Sequence, residues 1–271
     1  MGQPAHPLRV FFGVLLLDPS RRLVIGHRGA RAVMPENTLQ SLQHAIALGV
    51  DALEFDIHLA KDGVPVLHHD ATLDRCTDAS GPVRARTSLE LGRLSASHRF
   101  TPDDGRSYPY RETRFAIPTL WEALEACPDI PLIIELKSVE VAEPALRLLR
   151  ETGNLGRVLV GSFLDAALIP FRDAGVPISP GADTLTAKYA AAVLGAKPKT
   201  LPFQALCIPR FHYVIPLPVT GFATMMRAAG GPTHVWTIND PARAAQLWRA
   251  GINGIITDDP ALMLRTRETL Q

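Results

Sequence analysis

From Leu23 onward the hydrophobic pattern switches repeatedly between two periods. Short runs rich in Val, Ile and Leu alternate with longer Ala- and Leu-rich stretches whose apolar residues recur every three or four positions. The short runs predict strands at "LVIGH", "ALEFDIH", "VPVLHH", "LIIELK", "RVLVGSF", "VPISPG", "ALCIP", "HVWTIN" and "GIITD". Near-continuous apolar strands separated by helices are the pattern of repeated βα units around a parallel sheet. The nine runs are enough for a closed eight-stranded barrel, with one left over as a misread or an extra pairing. Local signals bound the helices: "PENTLQSLQHAIALG" offers Asn37 as an N-cap and Gly49 as a stop, and "NDPARAAQLWRAG" repeats the arrangement with Pro241 and Gly251.

The alternation fails between about residues 71 and 118, a polar stretch rich in turn residues, which reads as an insertion and not as a separate core. No linker or fixed-period repeat divides the chain. The domain reading is therefore an apolar segment over residues 1–22 followed by one barrel domain over residues 23–271. Within the first segment, "RVFFGVLLLD" is too short to span a bilayer, and no small-residue cleavage site follows it. It is expected to pack on the barrel floor or to precede the true start; a weak, shallow membrane contact is the second reading.

Composition narrows the partner. The 271 residues are 46% hydrophobic and 20% charged, with a net charge of +1. No long like-charge run is present, so a nucleic-acid partner is not expected and a small molecule is. Three well-separated cysteines suggest neither a disulfide framework nor a thiolate metal site, and they fit a reducing, cytoplasmic setting.

Chemistry enters through the strand ends. Alternate side chains of a strand share a face, so Glu54 and Asp56 point one way in "LEFDIH", as do Glu135 and Lys137 in "IELK". His27, His69 and Asp258 end their own runs, and in a parallel barrel the carboxyl ends of the strands form one rim, where sites are built. Three carboxylates facing one cavity repel unless protonated or bound to a cation, and oxygen ligands suit Mg2+ or Ca2+. With a divalent ion, Arg28 and Lys137 added, the pocket carries one net positive charge, complementary to a phosphodiester monoanion. Arginine, lysine and metal can neutralise charge growing on phosphorus-bound oxygens, and two histidines suit proton transfer to and from alcohol oxygens.

"GHRGARAVMPENT", "EFDIHLAKDGVPVLHHDATLDRCTD", "IELK", "HVWTIND" and "GIITDDP" resemble the successive motifs of the glycerophosphodiester phosphodiesterases, from about Val24 to Leu264. The resemblance implies a TIM (β/α)8 barrel with an insertion of about 45 residues after the third strand, and one divalent cation, Mg2+ or Ca2+. It implies His27 and His69 as the acid–base pair, Arg28 and Lys137 as phosphate holders, and Glu54, Asp56 and Glu135 as metal ligands. Trp236 matches an aromatic residue near the alcohol moiety, although core packing is an equal reading. The implied reaction is metal-dependent hydrolysis of glycerophosphodiesters to glycerol 3-phosphate and an alcohol. Attack by a substrate hydroxyl through a cyclic phosphate and direct attack by water both stay open, as does which histidine starts as base.

Other residues carry plainer expectations. His68 faces away from His69 into packing, His58 is either near the rim or in a solvated loop position, and Glu36 supports the mouth of the site. Asp258 and Asp259 cap the last helix. Phe203, Phe211, Tyr213 and Phe222 are candidates for an apolar wall around a lipid-like alcohol, with core packing as the alternative. Two rival functions follow: a lysophospholipase D type activity on lysophospholipids, which the aromatic residues suit, and a non-catalytic phosphodiester-binding barrel, disfavoured because every expected charged residue is present.

Overall fold

The computed structural model describes residues 15–212 and 214–270. In chain order the elements are β1 (Leu23–His27), α1 (Leu39–Leu48), β2 (Ala52–Leu59), β3 (Pro65–Leu67), α2 (Ser88–Leu91), α3 (Leu120–Ala126), β4 (Leu132–Leu136), α4 (Ala142–Glu151), β5 (Val158–Gly161), α5 (Asp165–Asp173), α6 (Ala182–Val193), β6 (Leu206–Pro209), β7 (Phe211–His212), β8 (Ile215–Pro216), α7 (Val219–Ala228), β9 (Thr233–Trp236), α8 (Pro241–Arg249), β10 (Gly254–Thr257) and α9 (Pro260–Glu268). Hydrogen-bonded strands run β5-β4-β2-β1-β10-β9-β6, all parallel.

The gap between β5 and β6 is bridged by "VPIS" at residues 176–179. Val160 N donates to Pro177 O at 3.0 Å, Ser179 N to Val160 O at 2.8 Å and Gln204 N to Ile178 O at 3.2 Å. Pro177 and Pro180 have no N–H to give, so this predicted strand makes one parallel bridge, Val160 to Ile178, instead of a ladder. It still serves as the eighth stave of a TIM barrel.

The surplus strand is β3. It pairs antiparallel with β2, Ile57 opposite Leu67 and Leu59 opposite Pro65, so it is no stave of the barrel. Chain length forces this: only residues 60–64 separate the two strands, whereas a parallel crossover takes a dozen or more. Gly63, at φ +79°, turns the hairpin. The long excursion thus follows the third strand in sequence but lies between the second and third barrel strands. It is also less bare than expected, since Leu73, Val83, Leu91, Ala96 and Ile117 gather with Val66 of β3 into a small apolar cluster.

Period-two alternation sorts the staves. Val24, Leu53, Phe55, Ile134 and Val160 face the helices, while Leu23, Ile25, Ala52, Ile133, Leu159 and Ile256 fill the lower barrel interior. Leu16 is inserted among these inward residues at 1% exposure, closing the floor from below. Its carbonyl accepts a hydrogen bond from His234 Nε2 at 2.9 Å, and Asn253 Nδ2 donates to Pro19 O at 2.6 Å. Burial lowers the His234 pKa to about 4 against the opposing effect of that bond, so the ring is neutral at pH 7. The described part of the leading segment therefore packs beneath the barrel; residues 1–14 lie outside the described residues.

Leu16→Ala removes a buried side chain from the cluster that closes the barrel floor. The expected loss is about 2–4 kcal/mol of unfolding free energy, read from urea denaturation.

Candidate active site

The alternation that puts leucines and isoleucines in the lower barrel puts charge at the top. His27 ends β1, Glu54 and Asp56 face inward from β2, Glu135 from β4, and Lys137 and Asp258 follow β4 and β10. Beside them opens a cavity of about 480 Å³ whose wall includes His27, Arg28, Glu54, His69, Glu135, Lys137 and Trp236. Asp56 sits behind this wall, almost fully buried.

The carboxylates form one group: an oxygen from each of Glu54, Asp56 and Glu135 lies within 4.8 Å of the others. Lys137 Nζ stands 2.8 Å from Asp56 Oδ1 and 2.7 Å from Glu135 Oε1. On the other side Asn37 Nδ2 donates to Asp56 Oδ2 at 2.9 Å, and Arg28 Nε lies 3.1 Å from the same oxygen. Burial alone would raise the Asp56 pKa, but Lys137 and Arg28 hold it below the ordinary carboxylate range. Glu54 and Glu135 go the other way, raised first by burial and then by the negative charge of Asp56. The set is short of positive charge in the manner that a hard cation relieves, and its all-oxygen donors fit such an ion.

Arg28 is delivered by a tight turn after β1. Its φ is +52°, and Gly29 follows at +91° where a Cβ would stand 2.4 Å from Ser41 Oγ. Only glycine fits at that position. The turn aims Arg28 N at Glu54 Oε2, 3.1 Å away, and Arg28 NH1 at Glu36 Oε1, 2.7 Å away.

Each histidine is gripped at Nδ1 by a carboxylate. His27 Nδ1 donates to Asp258 Oδ1 at 2.6 Å, leaving Nε2 3.9 Å from Glu54 Oε2 at the carboxylate group. His69 Nδ1 donates to Asp70 Oδ1 at 2.5 Å. With an ionised acceptor at Nδ1, the neutral ring carries its proton there and exposes an unprotonated Nε2. Desolvation, first among several effects, lowers the His69 pKa.

The two grips are joined. Asp258 Oδ2 accepts from Arg31 NH1 at 3.2 Å, and Arg31 Nε donates to Glu36 Oε2 at 2.8 Å. Arg75, from the excursion, gives two hydrogen bonds to Glu36 and reaches Asp70 Oδ2 with Nε at 2.6 Å. Glu36, ringed by Arg28, Arg31 and Arg75, stays well below the usual carboxylate pKa despite burial, and supports the mouth of the site as expected.

A profile of the glycerophosphoryl diester phosphodiesterase family matches residues 27–262. The chain belongs to this family. It is 30% identical over 252 residues to the glycerophosphodiester phosphodiesterase of Caldanaerobacter subterraneus subsp. tengcongensis, covering 90% of this chain and 97% of the relative. The Bacillus subtilis glycerophosphodiester phosphodiesterase is 27% identical over 266 residues, 93% of this chain and 89% of that one. Among solved structures, an Oleispira antarctica phosphodiesterase in complex with the product sn-glycerol-3-phosphate superposes with TM-score 0.70 at 26% identity, covering 92% and 97% of the two chains. The glycerophosphoryl diester phosphodiesterase domain of a Mycobacterium tuberculosis protein shares the fold, with TM-score 0.81 at 22% identity over 92% and 100%. This chain is accordingly an enzyme of the glycerophosphodiester phosphodiesterase family.

Some family-site neighbours depart from their sequence reading. Asn37 is no helix cap: Thr38 caps α1, accepting from Ser41 N at 3.2 Å, while Asn37 adopts φ +57° and locks Asp56 through its side chain and the Asp56 N–H. Asparagine tolerates that left-handed backbone, which frees its amide for the site. Asp259 caps α9 as expected, but Asp258 holds His27. His68 does turn away from the site, donating to Thr72 O at 3.0 Å, whereas His58 is not a solvated loop residue and donates to the His69 carbonyl at 3.1 Å. Of the aromatics, Phe222 and Trp236 line the cavity, Phe203 is in the helix-layer core, Phe211 is exposed, and Tyr213 lies outside the described residues. Phe163, set edge-on to Trp236 at 5.8 Å, was not anticipated, nor were Asp70, Arg31 and Arg75.

Burial opposes ionisation of Asp258, yet the His27 bond, Arg31 and Asn239 hold its pKa at about 2, below the unfolded value of 3.8. A depressed carboxylate contributes stability that is fully present above the unfolded pKa and lost as pH falls through the folded one. Asp258→Asn is thus expected to cost about 2 kcal/mol of unfolding free energy at pH 6, the difference shrinking from pH 4 toward pH 2 in denaturant titrations.

Proposed function

We propose that the chain hydrolyses glycerophosphodiesters to glycerol 3-phosphate and an alcohol, with His27 and His69 as the proton-transfer pair. The observation that carries this reading is that two imidazoles, each fixed at Nδ1 by its own carboxylate, line the same cavity as the carboxylate group. One unprotonated Nε2 takes the proton of the attacking hydroxyl or water. The other imidazole, once protonated, returns a proton to the departing alkoxide as its P–O bond breaks. Arg28 and Lys137 hold the phosphodiester, and Trp236, stacked edge-on with Phe163, packs against its organic part. Glu54, Asp56 and Glu135 would hold one divalent cation, Mg2+ or Ca2+, which when bound offsets negative charge on phosphoryl oxygens. All three cysteines are free, which favours the cytoplasm as the setting.

A second reading is favoured by the rest of the cavity wall. Beyond the charged end it is lined by Phe163, Leu185, Tyr189, Leu217 and Phe222. That apolar arm suits a substrate that retains an aliphatic chain, and so a lysophospholipase D type reaction.

The test is glycerol 3-phosphate release from glycerophosphocholine. EDTA should abolish it, Mg2+ or Ca2+ should restore it, and His27→Ala and His69→Ala should each lower kcat by about 10²–10⁴-fold. Turnover indifferent to EDTA, or undiminished in either histidine variant, would sink the reading. Turnover of lysophosphatidylcholine with none of glycerophosphocholine would select the second.

A further inference from the structure

The mouth of the cavity carries more exposed apolar surface than its chemistry uses. Val193 and Leu194 end α6 at 58% and 84% exposure, and Val214 and Ile215 on the β7–β8 hairpin are 89% and 56% exposed. These two tips belong to one rim. A Cβ on Gly221, in the first turn of α7, would stand 2.2 Å from Ala192 O, so the end of α6 abuts the start of α7. The hairpin leads into α7 through Leu217 and Pro218. The apolar surface also continues inward, because Leu185 and Tyr189 of α6, with Ile215 and Leu217, line the cavity itself. Single exposed leucines are ordinary, but several large apolar side chains left exposed where two neighbouring segments line one cavity mark an interaction surface.

Charge indicates what the patch meets. Between Asp183 and Asp240 the sequence has no Asp or Glu, although the whole chain is balanced at 28 basic and 27 acidic residues. Within that span Lys188, Lys197, Lys199 and Arg210 lie close to the two tips in sequence, and Lys197 and Lys199 are exposed. Arg210 lies over the Phe211 ring at 5.0 Å, a pairing of cation and exposed aromatic that suits a headgroup layer. Apolar tips flanked by unbalanced cations match a surface that is anionic outside and hydrocarbon within.

We propose that the rim formed by the end of α6 and the β7–β8 hairpin docks on an anionic lipid surface, with the cavity mouth facing the lipid. This docking is independent of the reaction assigned above and of residues 1–14. Among the described residues no helix is long and apolar enough to cross a membrane.

The experiment is flotation of the full chain, in EDTA, with vesicles of phosphatidylcholine alone or containing about one third phosphatidylglycerol. Partition should favour the anionic vesicles and weaken in 0.5 M NaCl. The double variant Leu194→Glu with Val214→Glu should lower it about tenfold or more. Lys197→Glu with Lys199→Glu should lower it comparably, at roughly fivefold per basic residue, and erase the preference for anionic lipid. Both variants should keep the wild-type melting temperature and the turnover of soluble glycerophosphocholine, which separates docking from folding and catalysis. The proposal is overturned if wild type floats with neither vesicle or if both variants float as wild type does. It is equally overturned if a concentration-dependent dimer, abolished by Leu194→Glu with Val214→Glu, shows that a second copy covers the rim.

Discussion

Asp56 is the point on which the charged half of the molecule turns. It is 1% exposed, and Lys137, Arg28 and Asn37 all reach it. A buried carboxylate survives ionised only when it is paired and hydrogen-bonded. Its ionisation in turn raises the pKa of Glu54 and Glu135, which makes the group receptive to a further positive charge. Two of the partners that satisfy Asp56 stand at opposite ends of the β1–α1 loop and the third follows β4, so the electrostatic requirement of one side chain fixes that loop and the end of β4 together.

The histidines are held by a second layer built on the same rule. Glu36 collects three arginines, and through Arg31 and Arg75 it braces the carboxylates that orient His27 and His69. An imidazole used for proton transfer needs a fixed tautomer and direction as much as a suitable pKa. Here orientation comes from a continuous chain of salt links, Asp258–Arg31–Glu36–Arg75–Asp70, that spans the barrel and the excursion.

What sequence made legible was whatever depends on period. Alternation put Glu54 with Asp56 and Glu135 with Lys137, and the strand ends assembled the rim that the fold displays. Turn length was equally readable, since five residues between "ALEFDIHL" and "PVL" already forbid a crossover, yet the run was counted among barrel candidates. Side-chain direction in loops was not readable. Asn37 has the composition of a cap but a backbone conformation that turns its amide toward Asp56, and nothing in "PENT" reports that φ. Asp258 and Asp259 are chemically identical neighbours, and only the inward face of the chain leaving β10 separates the histidine partner from the helix cap. Arg75 reaches Glu36 across 39 residues of sequence, so pattern gave no warning of it.

The return strand β3 has a consequence for how the site can change. His27 stands on a stave with ladder neighbours on both sides, β2 and β10, whereas His69 follows a three-residue strand paired only to the overhanging end of β2 and, through Val66, to a single bridge at Thr119. One histidine thus belongs to the closed cylinder and the other to an appendage hooked over its lip. The separation between them depends on how the hairpin sits on β2 as well as on the shear of the barrel. A change of length in residues 60–64 would act on the side of the mouth that carries His69 and leave the ladders around His27 untouched.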